Sequence, residues 1–197
     1  MQQAAERLRA GALAVLHTDA CYVLACHLGD KAALDRMRQL RGIDAKQLLT
    51  LMCRDLSELS QYAQVDNRQY RFLKEWTPGA YTFILPATRE VPRRLAHPSR
   101  KTVGLRVPAS AIVQALLEAL GEPLLCTTLI LPGEEDPMTD PDDIKERLAR
   151  QIDLMIDGGA GRHEPTTVID MTGDEPMVIR AGLGPIDAMS PYNRSVH

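Results

Sequence analysis

The chain lacks most of the patterns that announce a chemistry. Its four cysteines, at 21, 26, 53 and 126, form no C-x-x-C pair and have no nearby histidine doublet. That spacing excludes a zinc finger or ribbon, and thiols in apolar neighbourhoods read as reduced and buried. H-x-E and other metal-ligand spacings are missing as well, so no resident metal is expected. No G-x-x-x-x-G-K-[ST] loop occurs and no G-x-G-x-x-G follows the first strand, so a nucleotide must be held some other way. Without a G-x-S-x-G or a recognisably spaced Ser, His and Asp group, a covalent hydrolase has no support. No apolar run approaches the length of a membrane span and no signal peptide opens the chain. The expectation is a soluble, cytoplasmic protein with no membrane partner.

What is present is enough apolar material, 45% of 197 residues, for one sizeable core. A net charge of −3 argues against a general nucleic-acid binder. The charge is unevenly spread, however. Arg89, Arg93, Arg94, Arg100, Lys101 and Arg106 make a basic stretch, whereas Glu134, Glu135, Asp136, Asp140, Asp142 and Asp143 crowd together. A locally positive face on an acidic protein suits an anionic ligand.

Apolar runs of strand length alternate with helical periodicity, the signature of an α/β fold. Helices are expected over 2–9, from an Asp30 cap to Gly42, from Asp55 to Tyr62, over Asn67–Trp76, from Ser110 to Gly121 and over Pro141–Gln151. Strands are expected over Ala12–Leu16, Leu48–Cys53, Ala80–Ala87, Thr102–Val107, Leu124–Leu131, Leu154–Ile156, Thr167–Asp170 and Met177–Arg180. Several of these strands follow one another without a helix between them. A twisted mixed sheet with surrounding helices therefore fits better than a parallel doubly wound one. Residues 1–184 read as one domain and 185–197 as an irregular tail.

Hydroxyls and cations gather at strand and helix ends: Thr18, Tyr22, Arg38, Arg41, Lys46, Arg106, Thr127, Thr128, Thr166, Thr167 and Arg180. Such a set binds and orients charged groups without supplying a nucleophile, and catalysis would rest on positioning and electrostatics. Each residue also has a plain structural reading, as a turn cap, a solvated helix charge or an ion-pair partner.

Five segments, in order, resemble motifs of the YrdC/YciO family, which is related to the threonylcarbamoyl-AMP synthases. His17-Thr18-Asp19-Ala20-Cys21-Tyr22-Val23-Leu24 resembles P-T-D-[ST]-x-Y-[GA]-L. Pro78-Gly79-Ala80-Tyr81-Thr82-Phe83-Ile84-Leu85 resembles P-G-x-x-T-x-x-L. Val103–Pro108 resembles V-G-[VM]-R-[VY]-P, Thr166–Asp170 resembles [ST]-T-V-[VI]-D, and Ile179–Gly182 resembles [IV]-x-R-x-G in character. The resemblance covers nearly all of the chain and is closer to the YciO branch.

The resemblance implies a twisted α/β fold around a large basic cavity. It also implies formation of threonylcarbamoyl-adenylate from L-threonine, bicarbonate and ATP, with Mg²⁺ accompanying the nucleotide, in service of tRNA modification. By the same resemblance, Arg41, Lys46 and Thr128 would be catalytic. Thr18, Arg106, Thr167 and Arg180 would bind substrate, joined from the strand- and helix-end set by Tyr22, Thr127 and Arg38, the last adjacent to the position of a missing lysine. The chain departs from the synthase motifs at Gln39, where a lysine is usual, at Gln47 for proline, and at Ile130 for the asparagine of S-x-N. His17 stands where proline is usual. An alternative reading is a non-catalytic module that binds double-stranded RNA or tRNA in the same cavity. Relatives carry a strand ahead of the 2–9 helix that is missing here, which would leave a sheet edge open for a dimer.

Overall fold

The computed structural model describes residues 1–44, 47 and 49–187. Lys46 and residues 188–197 lie outside the described residues, and with them one expected cation and most of the expected tail.

Nine strands form one mixed sheet among the described residues. In chain order they are β1 (Ala14–His17), β2 (Tyr22–His27), β3 (Thr50–Met52), β4 (Tyr81–Pro86), β5 (Thr102–Arg106), β6 (Leu124–Thr128), β7 (Leu154–Ile156), β8 (Thr167–Asp170) and β9 (Met177–Arg180). Their spatial order is β7-β1-β2-β6-β3-β5-β4-β8-β9. Only β7 with β1, β3 with β5 and β4 with β8 are parallel. The twisted mixed α/β architecture expected from the sequence is thus the one observed.

Six helices cover the sheet: α1 (Gln2–Arg9), α2 (Lys31–Arg41), α3 (Leu56–Tyr62), α4 (Asn67–Trp76), α5 (Ala111–Leu120) and α6 (Pro141–Leu148). Their starts follow local chemistry. Asp30, Asp55, Asp66, Ser110 and Asp140 each accept a backbone N–H of the first turn with the side chain, satisfying donors the helix cannot use itself. Gly42 ends α2 in the left-handed conformation, at φ 62°, which costs a side-chain-bearing residue more than glycine.

Strand alternation sorts the buried side chains onto two faces. Leu13, Val15, Tyr22 and Leu24 share one apolar cluster with Met37, Leu59, Leu73 and Ile144, from α2, α3, α4 and α6. Leu16, Val23, Ala25 and Cys126 turn the other way, against Leu8 of α1 and Val113, Leu116 and Leu117 of α5. On this second face α1 and α5 cover β1, β2 and β6. The remaining half of that face, over β5, β4, β8 and β9, contributes nothing to their apolar cluster, and a cavity opens there.

The sequence reading gave no strand over Tyr22–His27, yet β2 pairs β1 through His17↔Tyr22 and β6 through Val23↔Thr128. Its five consecutive buried residues carry no alternation to mark it, because both faces of a central strand are covered.

Candidate anion-binding site

The period of two decides what faces the open half of the sheet. On β5, Val103 and Leu105 enter the core beneath α3 and α4, so Thr102, Gly104 and Arg106 point to the opposite face. On β4, Tyr81, Phe83 and Leu85 likewise leave Thr82 and Ile84 on that face. Together with the ends of β6 and β9 they build a cavity of about 400 Å³ whose lining includes Arg41, Thr50, Thr127, Thr128 and Arg180. Ile84, Ile130, Val168 and Ile179 form its apolar side. An adjoining chamber of about 30 Å³ shares the threonines and adds Cys21 and Arg106. Gly104 keeps the floor low: a Cβ there would stand 3.3 Å from Thr50 Oγ1 and 3.4 Å from the Thr82 methyl.

No Asp or Glu lines either space among the described residues. Arg41, in the last turn of α2, donates from Nη1 to the Ile130 carbonyl. Its buried Nε has no partner among the described residues. Burial pushes its pKa below the ordinary arginine range, though a guanidinium stays charged. Arg180 donates from Nη2 to the Thr166 carbonyl at 2.8 Å, and loss of hydration pushes it down also. Arg106 is 3% exposed and bonds Asp19 at 2.6 Å, while its Nε is buried without a partner among the described residues. Thr82 and Thr166 join their hydroxyls at 2.8 Å. Burial pushes Cys21 up to about 11 and Cys126 up to about 12, so neither thiol is a nucleophile at neutral pH. Arg41 and Arg180 are bonded to neutral carbonyls and only Arg106 to a carboxylate, so the described lining carries an excess of positive charge of the kind that suits an anion.

Of the residues named from sequence, Arg41, Arg106, Thr127, Thr128, Thr166 and Arg180 converge on this cavity. Four others do not line it. Thr18 is consumed by its own turn: its hydroxyl donates to the Cys21 carbonyl at 2.7 Å and accepts from Ala20 N at 3.1 Å. Tyr22 lies on the opposite face of the sheet and donates to the Gly159 carbonyl at 2.6 Å. Thr167 faces that same side, donating to the Gly184 carbonyl at 2.6 Å, while Thr166 lines the cavity in its place. Arg38 reaches the Arg94 carbonyl at 3.4 Å. Arg94 in turn bonds the Gly29 carbonyl at 3.0 Å, which ties part of the basic stretch to backbone. Gln39 lines a separate groove with Arg36 and Leu131. Sequence reasoning missed Thr50, Thr82 and Gly104; the parity of Thr82 with its apolar neighbours was the available signal.

Fold and lining together define a mixed-sheet protein with a basic cavity on an uncovered half-face. The Sua5/YciO/YrdC family model, described as "Telomere recombination", matches residues 6–182, and the chain belongs to that family. It is 53% identical over 186 residues to the uncharacterized protein YciO of Escherichia coli (strain K12), covering 94% of this chain and 90% of that one. The crystal structure of E. coli YciO superposes with a TM-score of 0.91 over 97% of this chain and 91% of the other. The threonylcarbamoyl-AMP synthase of Vibrio vulnificus (strain YJ016) is 27% identical over 175 residues, covering 86% and 92%. P. abyssi Sua5 complexed with L-threonine superposes with a TM-score of 0.87 at 27% identity, over 97% of this chain and 56% of the Sua5 chain.

Proposed function

We propose that the cavity binds ATP or an acyl-adenylate and that the chain is a YciO-type relative of the threonylcarbamoyl-AMP synthases. The observation that carries this reading is three arginines on one cavity that no carboxylate lines among the described residues. A synthase relative and a Sua5 structure holding L-threonine support it from outside the chain.

In this reading Arg41 and Arg180, with Lys46, hold the phosphates, and Thr127 and Thr128 orient them. Arg106 receives the carboxylate of an amino acid such as L-threonine. The apolar side formed by Ile84, Ile130, Val168 and Ile179 faces the base. Among the described residues the lining offers hydroxyls but no carboxylate, so Mg²⁺ would arrive on the triphosphate with most of its waters rather than in a protein cage. With no nucleophile in the lining, the residues contribute orientation and charge stabilisation as bicarbonate, amino acid and ATP combine. Ile130 cannot donate a hydrogen bond where the synthase motif has asparagine, so turnover is expected to be slow.

The test is threonylcarbamoyl-adenylate formation by the purified protein with ATP, Mg²⁺, bicarbonate and L-threonine, followed by mass spectrometry beside an ATP titration. Arg41→Ala and Arg180→Ala should each weaken ATP binding roughly tenfold, the worth of one charge-assisted contact, with circular dichroism unchanged. Unaltered affinity in both variants removes the site assignment. ATP binding without product makes the chain an adenylate binder. A ligand-independent affinity for double-stranded RNA that falls steeply with salt would favour the RNA module instead.

A further inference from the structure

Arg106 differs from the other two cavity arginines in what compensates its charge. Arg41 and Arg180 bond neutral carbonyls, whereas Arg106 meets a carboxylate, Asp19, at 2.6 Å. Asp19 does not line the chamber. Its second oxygen accepts from Ala109 N at 3.1 Å, in the loop that leads to α5. Asp19 thus stands behind Arg106, anchored from two directions. The turn that holds it is itself closed by the Thr18 hydroxyl. The guanidinium it holds keeps one buried donor, Nε, without a partner among the described residues. The chamber before it, about 30 Å³, is much narrower than the outer cavity of about 400 Å³.

Two physical consequences follow. A guanidinium paired with a carboxylate presents directional donors but little net charge, so it gains less from a dianion than an unpaired one does. The inner chamber is also the narrower of the two adjoining spaces, so a polyphosphate finds more room at the outer end.

We propose that Asp19 is a positioning residue which aims Arg106 into the inner chamber and tunes it for a small, singly charged oxyanion of the carboxylate or bicarbonate class. Phosphates are thereby left to Arg41 and Arg180 at the outer end. The proposal rests on the reading of the cavity as an anion site, and adds the group that divides it into two unlike ends.

The experiment compares wild type with Asp19→Asn and Asp19→Glu by calorimetry, using L-threonine, bicarbonate, inorganic phosphate and ATP as separate titrants. Asp19→Asn leaves Arg106 uncompensated, and phosphate affinity should rise roughly tenfold, the scale on which a close opposite charge acts. In the Asp19→Asn, Arg106→Gln double variant that gain should vanish. Asp19→Glu keeps the charge but displaces the guanidinium, so affinity for the carboxylate-class titrant should fall while phosphate affinity stays at the wild-type value. Whichever of L-threonine and bicarbonate loses affinity identifies the source of the oxyanion. Equal losses for every titrant in both single variants, with a lowered Tm, would mean that Asp19 only supports the fold, and would overturn the proposal. Should Asp19→Asn not fold, the Asp19→Glu comparison decides alone. A wild type that binds phosphate but not ATP would sink the nucleotide reading while leaving the Asp19 comparison intact.

Discussion

Burial holds the Cys21 thiol up at about 11 and those of Cys26 and Cys126 at about 12, each because its thiolate would lose hydration. Cys53 is raised for the same reason. A thiol with its folded pKa above the unfolded value keeps its proton longer in the native state. Its contribution to stability is therefore whole below the ordinary value of 9.0 and is lost as pH rises through the folded one. Thermal melts between pH 7.5 and 10.5 should show Tm falling above about pH 9, with a shallower fall in Cys126→Ala. A flat profile would mean that the thiols are hydrated. At the same scale, composition already marked the four thiols as buried and reduced, and all four are buried and free. It could not choose between Thr166 and Thr167. Adjacent strand residues face opposite ways, and only the pairing of β8 with β4 says which side holds the cavity.

Helix starts were the most readable elements, because a cap is local chemistry. Asp55 accepts from Glu58 N at 2.8 Å as its spacing implies, although Glu58 answers Arg54 N, one residue before the cap. The loop from β9 was less readable, since its glycines act through contacts distant in sequence. A Cβ on Gly182 would lie 2.3 Å from the Pro165 carbonyl oxygen and 2.7 Å from that of Thr166. Backbone cannot step aside as a side-chain tip does, so Gly182→Ala should cost about 2–4 kcal/mol in urea unfolding. It should also weaken ATP binding by shifting Thr166. Full stability would show that the β8–β9 connection gives way freely. Gly104→Val tests the floor of the cavity in the same manner. It should abolish ATP binding while costing less stability than Gly182→Ala, because its Cβ meets Thr50 Oγ1 at 3.3 Å rather than backbone at 2.3 Å.

Across the whole molecule, α1 and α5 act as a lid on half of one sheet face, and the site occupies the half they leave open. Leu8 is fully buried between them and the sheet. Leu8→Ala should therefore cost about 2–5 kcal/mol of stability yet leave ATP affinity unchanged; a parallel loss of affinity would show that the two half-faces are coupled. Among the described residues no helix is long and apolar enough to cross a membrane. By itself the sequence determined the fold class, most of the helix caps and most of the strands, because periodicity and capping are properties of neighbouring residues. Only the tertiary structure decided which hydroxyls and guanidiniums share a cavity, that Thr18 and Asp19 stand behind it, and that Tyr22 faces away. Those facts depend on strand register and on which half of the sheet the helices cover, and both are set by contacts between segments far apart in the chain.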